Sequence, residues 1–228
     1  MAGREGQHGV DENLKSKLSC RRDCGQGWRA KALNVNPFFS LQCEAEFSQL
    51  RLHSKDGTNR LTGACVRSLT AAIRELAETP RPLVITGNTR FFSAGAELKE
   101  IAELNGPSAY EFAKMGQALM ASIEDFPAPV YAAVSGYCMG GGLDLALACH
   151  HRVASRSAVF GHRGAALGLI TGWGGTQRLP RLVGEAAALE MFVAAEKINA
   201  QRALAIGLAE AVVDDPEAEA LRRINLQG

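Results

Sequence analysis

The chain has 228 residues, of which 46% are hydrophobic and 21% are charged, and its formal net charge at neutral pH is +1. This composition is typical of a globular protein with enough apolar side chains for one substantial core, and it excludes a disordered or collagen-like chain. Because positive and negative charges nearly balance, no long-range field favours nucleic acid or a membrane surface, and we expect neither as a partner.

The cysteines and the N-terminus suggest a compartment. No run of about 18 apolar residues is present, and the N-terminus lacks the apolar stretch of a secretory signal. The six cysteines are too sparse for a disulfide scaffold, and the close pair Cys20 and Cys24 has no second pair or nearby histidine to complete a zinc site. We therefore expect reduced thiols, no metal site and a cytoplasmic protein.

The chain changes character near residue 46. Residues 1–45 mix charges, glycines and scattered apolar residues without a sustained period, which predicts a poorly ordered N-terminal extension. From Phe47, the alternating stretch FSQLRLHS predicts a strand, KDGTN predicts a turn, and apolar residues at helical spacing over 66–76 predict an amphipathic helix. The folded domain is therefore predicted to cover residues 46–228.

Strands alternate with helices over the rest of the chain. Strands are predicted in PLVITG, PVYAAVSG, HRVAS, SAVFG and LAEAVVD. Helices are predicted in ELKEIAEL, over 107–125, in LDLALACH, after Gly174 and from about Glu185. This alternation predicts an α/β fold with a mainly parallel sheet.

Two segments of small residues, 93–96 and 139–142, each join the end of a predicted strand to a helix. Backbone NH groups at a helix N-terminus are unpaired and carry partial positive charge, so two of them aimed at one point would bind a carbonyl oxygen that becomes negative. The alternative is that the glycines serve only a tight turn and close packing. The spacing matches neither a dinucleotide-binding loop nor a P-loop.

Three longer segments follow one another along the chain: FFSAGAELKE at 91–100, VSGYCMGGGLDLALACHHRVA at 134–154 and FGHRGAALGLITGWGGTQRLPRLVG at 160–184. They resemble, in the same order, three signatures of the crotonase superfamily, the family of enoyl-CoA hydratases and isomerases. The resemblance runs from about Phe47 to Val213. It implies a spiral of β-β-α units, a homotrimer or a hexamer made of two trimers, and a role in fatty acid metabolism.

The resemblance also implies a substrate and a set of site residues. The substrate would be an acyl-CoA, with no cofactor beyond its coenzyme A moiety. The NH groups of Ala96 and Gly141 would form an oxyanion hole for the thioester carbonyl and its enolate, and Asp144 would be the catalytic carboxylate. Trp173 could instead serve only packing. The substrate-binding residues implied are Arg60, Ala94, Ala96, Glu97, Leu98, Tyr137, Gly140, Gly141, Gly164 and Trp173.

The chain departs from the family at the catalytic carboxylates. Typical hydratases of the family use two glutamates, whereas this chain has Asp144 at the first position and Gly164 at the second. No Asp or Glu occurs between Leu145 and Gly184. His162 lies in that stretch and could replace the missing acid or base, or it could be an ordinary packing or surface histidine.

Three functions remain open from the sequence. The first is an acyl-CoA lyase or isomerase that stabilises an enolate, and the second is a catalytically weak or inactive protein that binds acyl-CoA. The third is a structural subunit in which the glycines serve packing. Because the segment after Val213 is shorter than in typical family members, we also expect a shortened C-terminal helical segment.

Overall fold

The structure, a computed structural model, describes residues 31–226. Its strands are β1 (Lys31–Val35), β2 (Phe39–Cys43), β3 (Ser48–Leu52), β4 (Arg60–Leu61), β5 (Leu83–Thr86), β6 (Phe91–Ser93), β7 (Gly95–Ala96), β8 (Val130–Val134), β9 (Tyr137–Met139), β10 (His151–Ser155), β11 (Val159–Gly161), β12 (Ile198–Asn199) and β13 (Ala211–Val213). Its helices are α1 (Gly63–Leu76), α2 (Leu98–Ala102), α3 (Gly106–Glu124), α4 (Gly141–Ala148), α5 (Gly175–Val183), α6 (Glu185–Val193), α7 (Ala200–Ala205) and α8 (Pro216–Asn225).

Two sheets organise these elements. The larger has seven strands in the order β1-β2-β3-β5-β8-β10-β13, and the smaller has four in the order β12-β11-β9-β6. From β3 to β13 the large sheet is parallel, and β6, β9 and β11 are parallel in the small one. Three times, a strand of the large sheet is followed by a strand of the small sheet and then by a helix, with the short strand β7, which pairs with β4 in a third sheet, inserted before the helix in the first of these repeats. The predicted α/β fold with a mainly parallel sheet is confirmed, and the repeat is a spiral of β-β-α units.

Local sequence explains the elements that were predicted. Every residue of β8, VYAAV, is buried, as expected for a central parallel strand covered on both faces. Helix α1 turns Val66, Leu69 and Ile73 into the core, and Thr62 caps its N-terminus by accepting a hydrogen bond from the Cys65 NH at 3.2 Å. The predicted helix over 66–76 therefore exists and begins slightly earlier.

The predicted domain boundary falls too late. Strand β2 pairs with β3 in antiparallel register, with Leu41 opposite Leu50, and its alternate residues Phe39 and Leu41 are buried in the main core. The folded domain therefore begins before residue 46. The alternating pattern of FSLQC was not recognised because it follows a long stretch without a sustained period. Residues 1–30 of the predicted extension lie outside the described residues.

Helix α8 is the helix of the C-terminal segment in which a shortened helical segment was expected, and its bounds follow from local helix signals. Asp215 caps it by accepting from the NH groups of Glu217 and Ala218, and Pro216 occupies the first turn. Its Ala220 and Ile224 pack in a second apolar cluster on the large sheet. In residues 31–226 no helix is both long enough and apolar enough to cross a membrane.

The cysteines of the folded part behave differently from one another. Cys65, Cys138 and Cys149 are buried free thiols, as predicted. Burial raises the pKa of the Cys65 thiol, and likewise that of Cys149, to about 12. Cys43 is disulfide-bonded, so the prediction of reduced thiols is wrong for this residue.

Asn59 offers a test of how the loop before β7 is held. Its backbone is left-handed, with φ of 53°, and its buried side chain donates to the carbonyl oxygens of Phe91 and Phe92 at 2.9 and 3.2 Å. Asn59→Gly keeps the backbone freedom and loses only these bonds, which should lower the free energy of unfolding by about 1–3 kcal/mol. Asn59→Ala should lower it by roughly 1–2 kcal/mol more than Asn59→Gly does, because alanine, like asparagine, has a Cβ that strains a left-handed backbone, whereas glycine relieves that strain. Urea denaturation measures both, and equal losses would contradict this explanation.

Candidate active site

A cavity of about 430 Å³ lies against the N-terminus of α4. Its wall comes from the β7 segment, from α2 and α3, from the start of α4, and from the loop that follows β11. Most of the wall is apolar, which suits an acyl chain or another apolar group. The polar or charged side chains on it are those of Asp144, His162, Arg163 and Thr171, together with the indole of Trp173.

The start of α4 depends on a glycine. Gly140 has φ of 50° and ψ of −121°, a conformation that a residue with a Cβ rarely adopts, and its NH donates to the Gly161 oxygen at 2.9 Å. This turn lets the chain leave β9 and enter α4 at once. Gly141 is the first residue of α4, so its NH has no acceptor within the helix.

The backbone nitrogens of Ala96 and Gly141 are neighbours on the cavity wall. A Cβ built on Gly141 would lie 3.3 Å from the Ala96 nitrogen, and one built on Gly95 would lie 3.1 Å from the Gly141 nitrogen. The pairing of β7 with β4, which sets Ala96 opposite Leu61, holds the Ala96 side of this contact. Two backbone donors from distant segments are thus brought to one place.

Asp144 projects from the first turn of α4 and is almost completely buried. The Thr171 hydroxyl donates a hydrogen bond to its Oδ2. Its Oδ1 lies 3.2 Å from Nε2 of His162, which is within ion-pair distance. Neither Oδ1 nor Nε2 has a hydrogen-bond partner in the described part of the chain, so the two atoms are close but not aligned for a hydrogen bond.

His162 is the feature that the sequence left undecided. It is 4% exposed, it lies on the cavity wall, and its ring packs against Phe192 with centroids 5.1 Å apart. A Cβ on Gly175 would overlap Oδ1 of Asp144 and lie 3.0 Å from Nε2 of His162. Glycine at 175 therefore keeps the space beside both atoms open.

Cys138 lies near Asp144, but its thiol is not ionised. Its thiol donates to the Gly142 oxygen at 3.4 Å. Burial raises the pKa of the Cys138 thiol well above its usual range, and electrostatic interaction with the neighbouring Cys149 and Asp144 raises it further. Cys138 therefore stays a neutral thiol.

Trp173 both lines the cavity and packs in the core. Its indole lies against Gly141, where a Cβ would come within 2.5 Å of a ring carbon, and against Gly116 of α3, where a Cβ would overlap the ring. Its Nε1 donates to the Phe112 oxygen at 3.2 Å. Trp173 therefore lies on the cavity wall and also packs between helices, so the two alternatives do not exclude each other.

The structure brings most of the predicted site residues together. Three predicted substrate residues lie outside the cavity wall. Arg60 forms ion pairs with Asp56 and Glu97, Glu97 also caps α2, and Tyr137 packs against Phe91 at 5.3 Å. The predicted residues on the wall are Ala94, Ala96, Leu98, Gly140, Gly141, Asp144, Gly164 and Trp173.

Sequence reasoning missed Thr171 and the apolar wall of the cavity. Thr171 lies in the third signature segment, and nothing in the sequence pairs its hydroxyl with a carboxylate 27 residues earlier. Phe112 and Ile101 occupy helical positions that are indistinguishable from ordinary core residues without the fold. The further wall residues not predicted are Leu104, Ala109, Ala113, Met139, Leu167, Leu169, Ile170 and Gly172.

Comparison of the sequence with known families and curated proteins finds enoyl-CoA hydratases in each case. Residues 42–225 match the family model described as enoyl-CoA hydratase/isomerase. A probable enoyl-CoA hydratase of Bacillus subtilis is 40% identical over 188 residues, covering 81% of this chain and 72% of the relative. A crotonyl-CoA hydratase of Syntrophomonas wolfei is 37% identical over 180 residues, covering 78% of this chain and 69% of the relative.

Solved structures agree with the sequence comparison. Pseudomonas aeruginosa DspI superposes with a TM-score of 0.81 at 33% identity, covering 87% of this chain and 83% of that one. The enoyl-CoA hydratase of Bacillus anthracis superposes with a TM-score of 0.77 at 34% identity, covering 82% of this chain and 75% of that one.

The contact between Gly116 and Trp173 gives a test of the cavity wall. Gly116→Ala should lower the free energy of unfolding by about 1–3 kcal/mol, because the new methyl group displaces a buried indole. Gly106→Ala is the matched control, since it lies on the same helix and its Cβ would meet nothing within 4 Å. Thermal or urea unfolding compares the two variants, and a loss of stability in the control alone would contradict the assigned packing.

Proposed function

The chain belongs to the enoyl-CoA hydratase/isomerase family of the crotonase superfamily, and we propose that it converts an acyl-CoA thioester through an enolate held by the NH groups of Ala96 and Gly141. The observation that supports this proposal is the adjacency of their two backbone nitrogens on an apolar cavity wall beside a buried carboxylate. Other features of the cavity fit the same reaction.

The two NH groups would act on the oxygen of the thioester carbonyl. When a proton leaves the carbon next to the carbonyl, negative charge develops on that oxygen. The Gly141 NH belongs to the first turn of α4, where the helix carries partial positive charge. Donors of this kind in an apolar cavity need no rearrangement during the reaction, and loss of one typically costs about a hundred- to a thousandfold in rate.

Asp144 is the proposed acid–base group. Thr171 holds Oδ2, which leaves Oδ1 as the atom able to exchange a proton with the substrate. Oδ1 takes the proton from the carbon next to the carbonyl, and the electrons of the broken C–H bond move to the thioester oxygen. The proton can then return to the same carbon or to another position of the chain.

The apolar wall would hold the acyl chain. Ile101, Leu104 and Phe112 line one side, and Leu167 and Ile170 line the other. Leu167 and Ile170 are strongly exposed, so a bound thioester would cover them. The exposed Arg163 side chain on the wall could meet the phosphates of coenzyme A, and no cofactor beyond that moiety is proposed.

We further propose a cytoplasmic homotrimer or a hexamer of two trimers that acts in fatty acid metabolism. Exposed apolar residues on α6, Leu189 and Val193, support an interface there, since such residues are commonly covered in an assembly. The buried free thiols of the core support a reducing compartment, whereas the disulfide at Cys43 does not. Light scattering after gel filtration measures the assembly.

One observation favours the alternative of a weak or inactive acyl-CoA-binding protein. A Cβ on Gly164 would lie 2.6 Å from the Leu169 oxygen, so the loop has no room for any side chain at this position. The second carboxylate of typical hydratases therefore has no place here. The alternative predicts acyl-CoA binding without turnover.

Asp144→Asn separates the two functions. The asparagine keeps the size of the side chain, so binding of a saturated acyl-CoA should be retained. Turnover should fall by at least about a hundredfold, because an amide cannot transfer the proton. Isothermal titration with butyryl-CoA and a crotonyl-CoA hydration assay measure the two quantities. Binding without turnover in the parent would favour the alternative, and no binding would contradict both.

The role of the Gly141 NH needs a variant that removes only that donor. Gly141→Pro removes it, but the new ring meets the Trp173 indole. We therefore compare Trp173→Ala with the double variant Trp173→Ala/Gly141→Pro. The double variant should be slower by about a hundred- to a thousandfold. Equal turnover in two folded proteins would show that the Gly141 NH is not a donor to the substrate.

A further inference from the structure

We infer that His162 is the second acid–base group of this site and that it works with Asp144 as one proton-sharing pair in adding water to an enoyl-CoA. The inference rests on the proposed function and deepens it. It assigns a role that the missing carboxylate at position 164 leaves vacant.

The first observation concerns position 164. The loop after β11 returns on itself so that the Gly164 carbonyl accepts from the NH groups of Leu167 and Leu169, both at 2.8 Å. This fold of the loop closes the space beside the Gly164 Cα. No acidic side chain can enter the cavity from this point, so a second proton-transfer group must come from elsewhere.

The second observation is that the cavity contains one suitable group. His162 precedes Gly164 by two residues on the same loop, and it is buried on the wall with Nε2 3.2 Å from Oδ1 of Asp144. Both atoms are buried and without a hydrogen-bond partner in residues 36–226, which is costly unless a ligand meets them. The absent Cβ of Gly175 leaves room next to both.

The third observation is that the pair is held in place. Thr171 fixes Oδ2 of Asp144, and Phe192 packs against the imidazole of His162. A general acid–base group must be placed to within a fraction of an ångström, and these contacts supply that restraint. Imidazole also exchanges protons readily near neutral pH.

The proposed step balances in atoms and charge. The pair begins with one proton, on Asp144, and with neutral His162. The water oxygen bonds to the β-carbon while His162 takes one water proton, and the electrons of the carbon–carbon double bond move to the thioester oxygen. The enolate then collapses as Asp144 gives its proton to the α-carbon. The imidazole then turns so that Nε2 of His162 points at Oδ1 of Asp144, 3.2 Å away, and passes its proton to that oxygen, which restores the starting state.

Other charged groups around the pair do not compete for this proton. Arg163, next to His162, is exposed and always positively charged, and Cys138 keeps its proton. Glu196 and Lys197, which border Gly161 through their backbones, are exposed to solvent. Hydration should therefore require a single proton on the pair, and its rate should fall at both low and high pH.

His162→Gln tests the inference because the amide keeps a polar group near the position of Nε2 but cannot titrate. We would measure crotonyl-CoA hydration from acid to alkaline pH, and solvent deuterium exchange at the α-carbon of butyryl-CoA. Exchange needs only Asp144 and the NH donors, whereas hydration needs both members of the pair. Hydration should fall by about a hundred- to ten-thousandfold and lose its two-sided pH profile. Exchange and butyryl-CoA binding should be retained.

Controls and outcomes distinguish the inference from the proposed function. His151→Gln is the matched control, because His151 lies outside the cavity and pairs with Glu210. His162→Asn is measured alongside and decides the question if His162→Gln does not fold. Unchanged hydration, or equal loss of hydration and exchange in a folded variant, overturns the inference alone, since His162 would then be dispensable or would only position Asp144. A parent that performs neither reaction overturns the proposed function and this inference together.

Discussion

The site depends on direct contact between two backbones, the β7 segment and the first turn of α4. A Cβ at Gly95 would come within 2.5 Å of the Met139 oxygen, so no side chain can stand between them. Bare backbone on both sides lets the nitrogens of Ala96 and Gly141 become neighbours, and the same turn sends Asp144 into the cavity. The two backbone nitrogens and the carboxylate are therefore positioned by the same rigid turn, and under the proposed function the two donors would not rely on flexible side chains.

The spiral explains why segments so far apart in sequence meet there. Strands β6, β9 and β11 lie side by side in the small sheet, and each follows a strand of the large sheet. The segments that leave these strands thus emerge at the same edge. They carry Ala96, Gly141 and His162 respectively, so each repeat of the fold contributes one residue to the cavity wall. This arrangement differs from a site built on a single loop, because the sheet fixes the spacing of its parts.

Much of the fold could be predicted, because long apolar periods such as those of α1 and β8 depend mainly on local sequence. Strand β2 was not recognised because it follows a long stretch without a sustained period, and the core face of α8 becomes apparent only against the large sheet. In the site, the small residues at Ala96 and Gly141 were recognisable. The contact of Asp144 with His162 was not, because it joins two turns of the spiral and no sequence pattern records which side chains meet there.

The indole of Trp173 has a consequence for how substrate range can change in this protein. It fills the gap between α3 and α4 while its ring lines the cavity that, under the proposed function, holds the acyl chain. A smaller residue would lengthen the cavity and at the same time remove a buried ring that joins two helices. A substitution that lets the cavity accept longer acyl chains would therefore also lower the stability of the fold. A substitution of this tryptophan would therefore need compensating contacts between α3 and α4, so a change of chain-length preference should be accompanied by changes on α3.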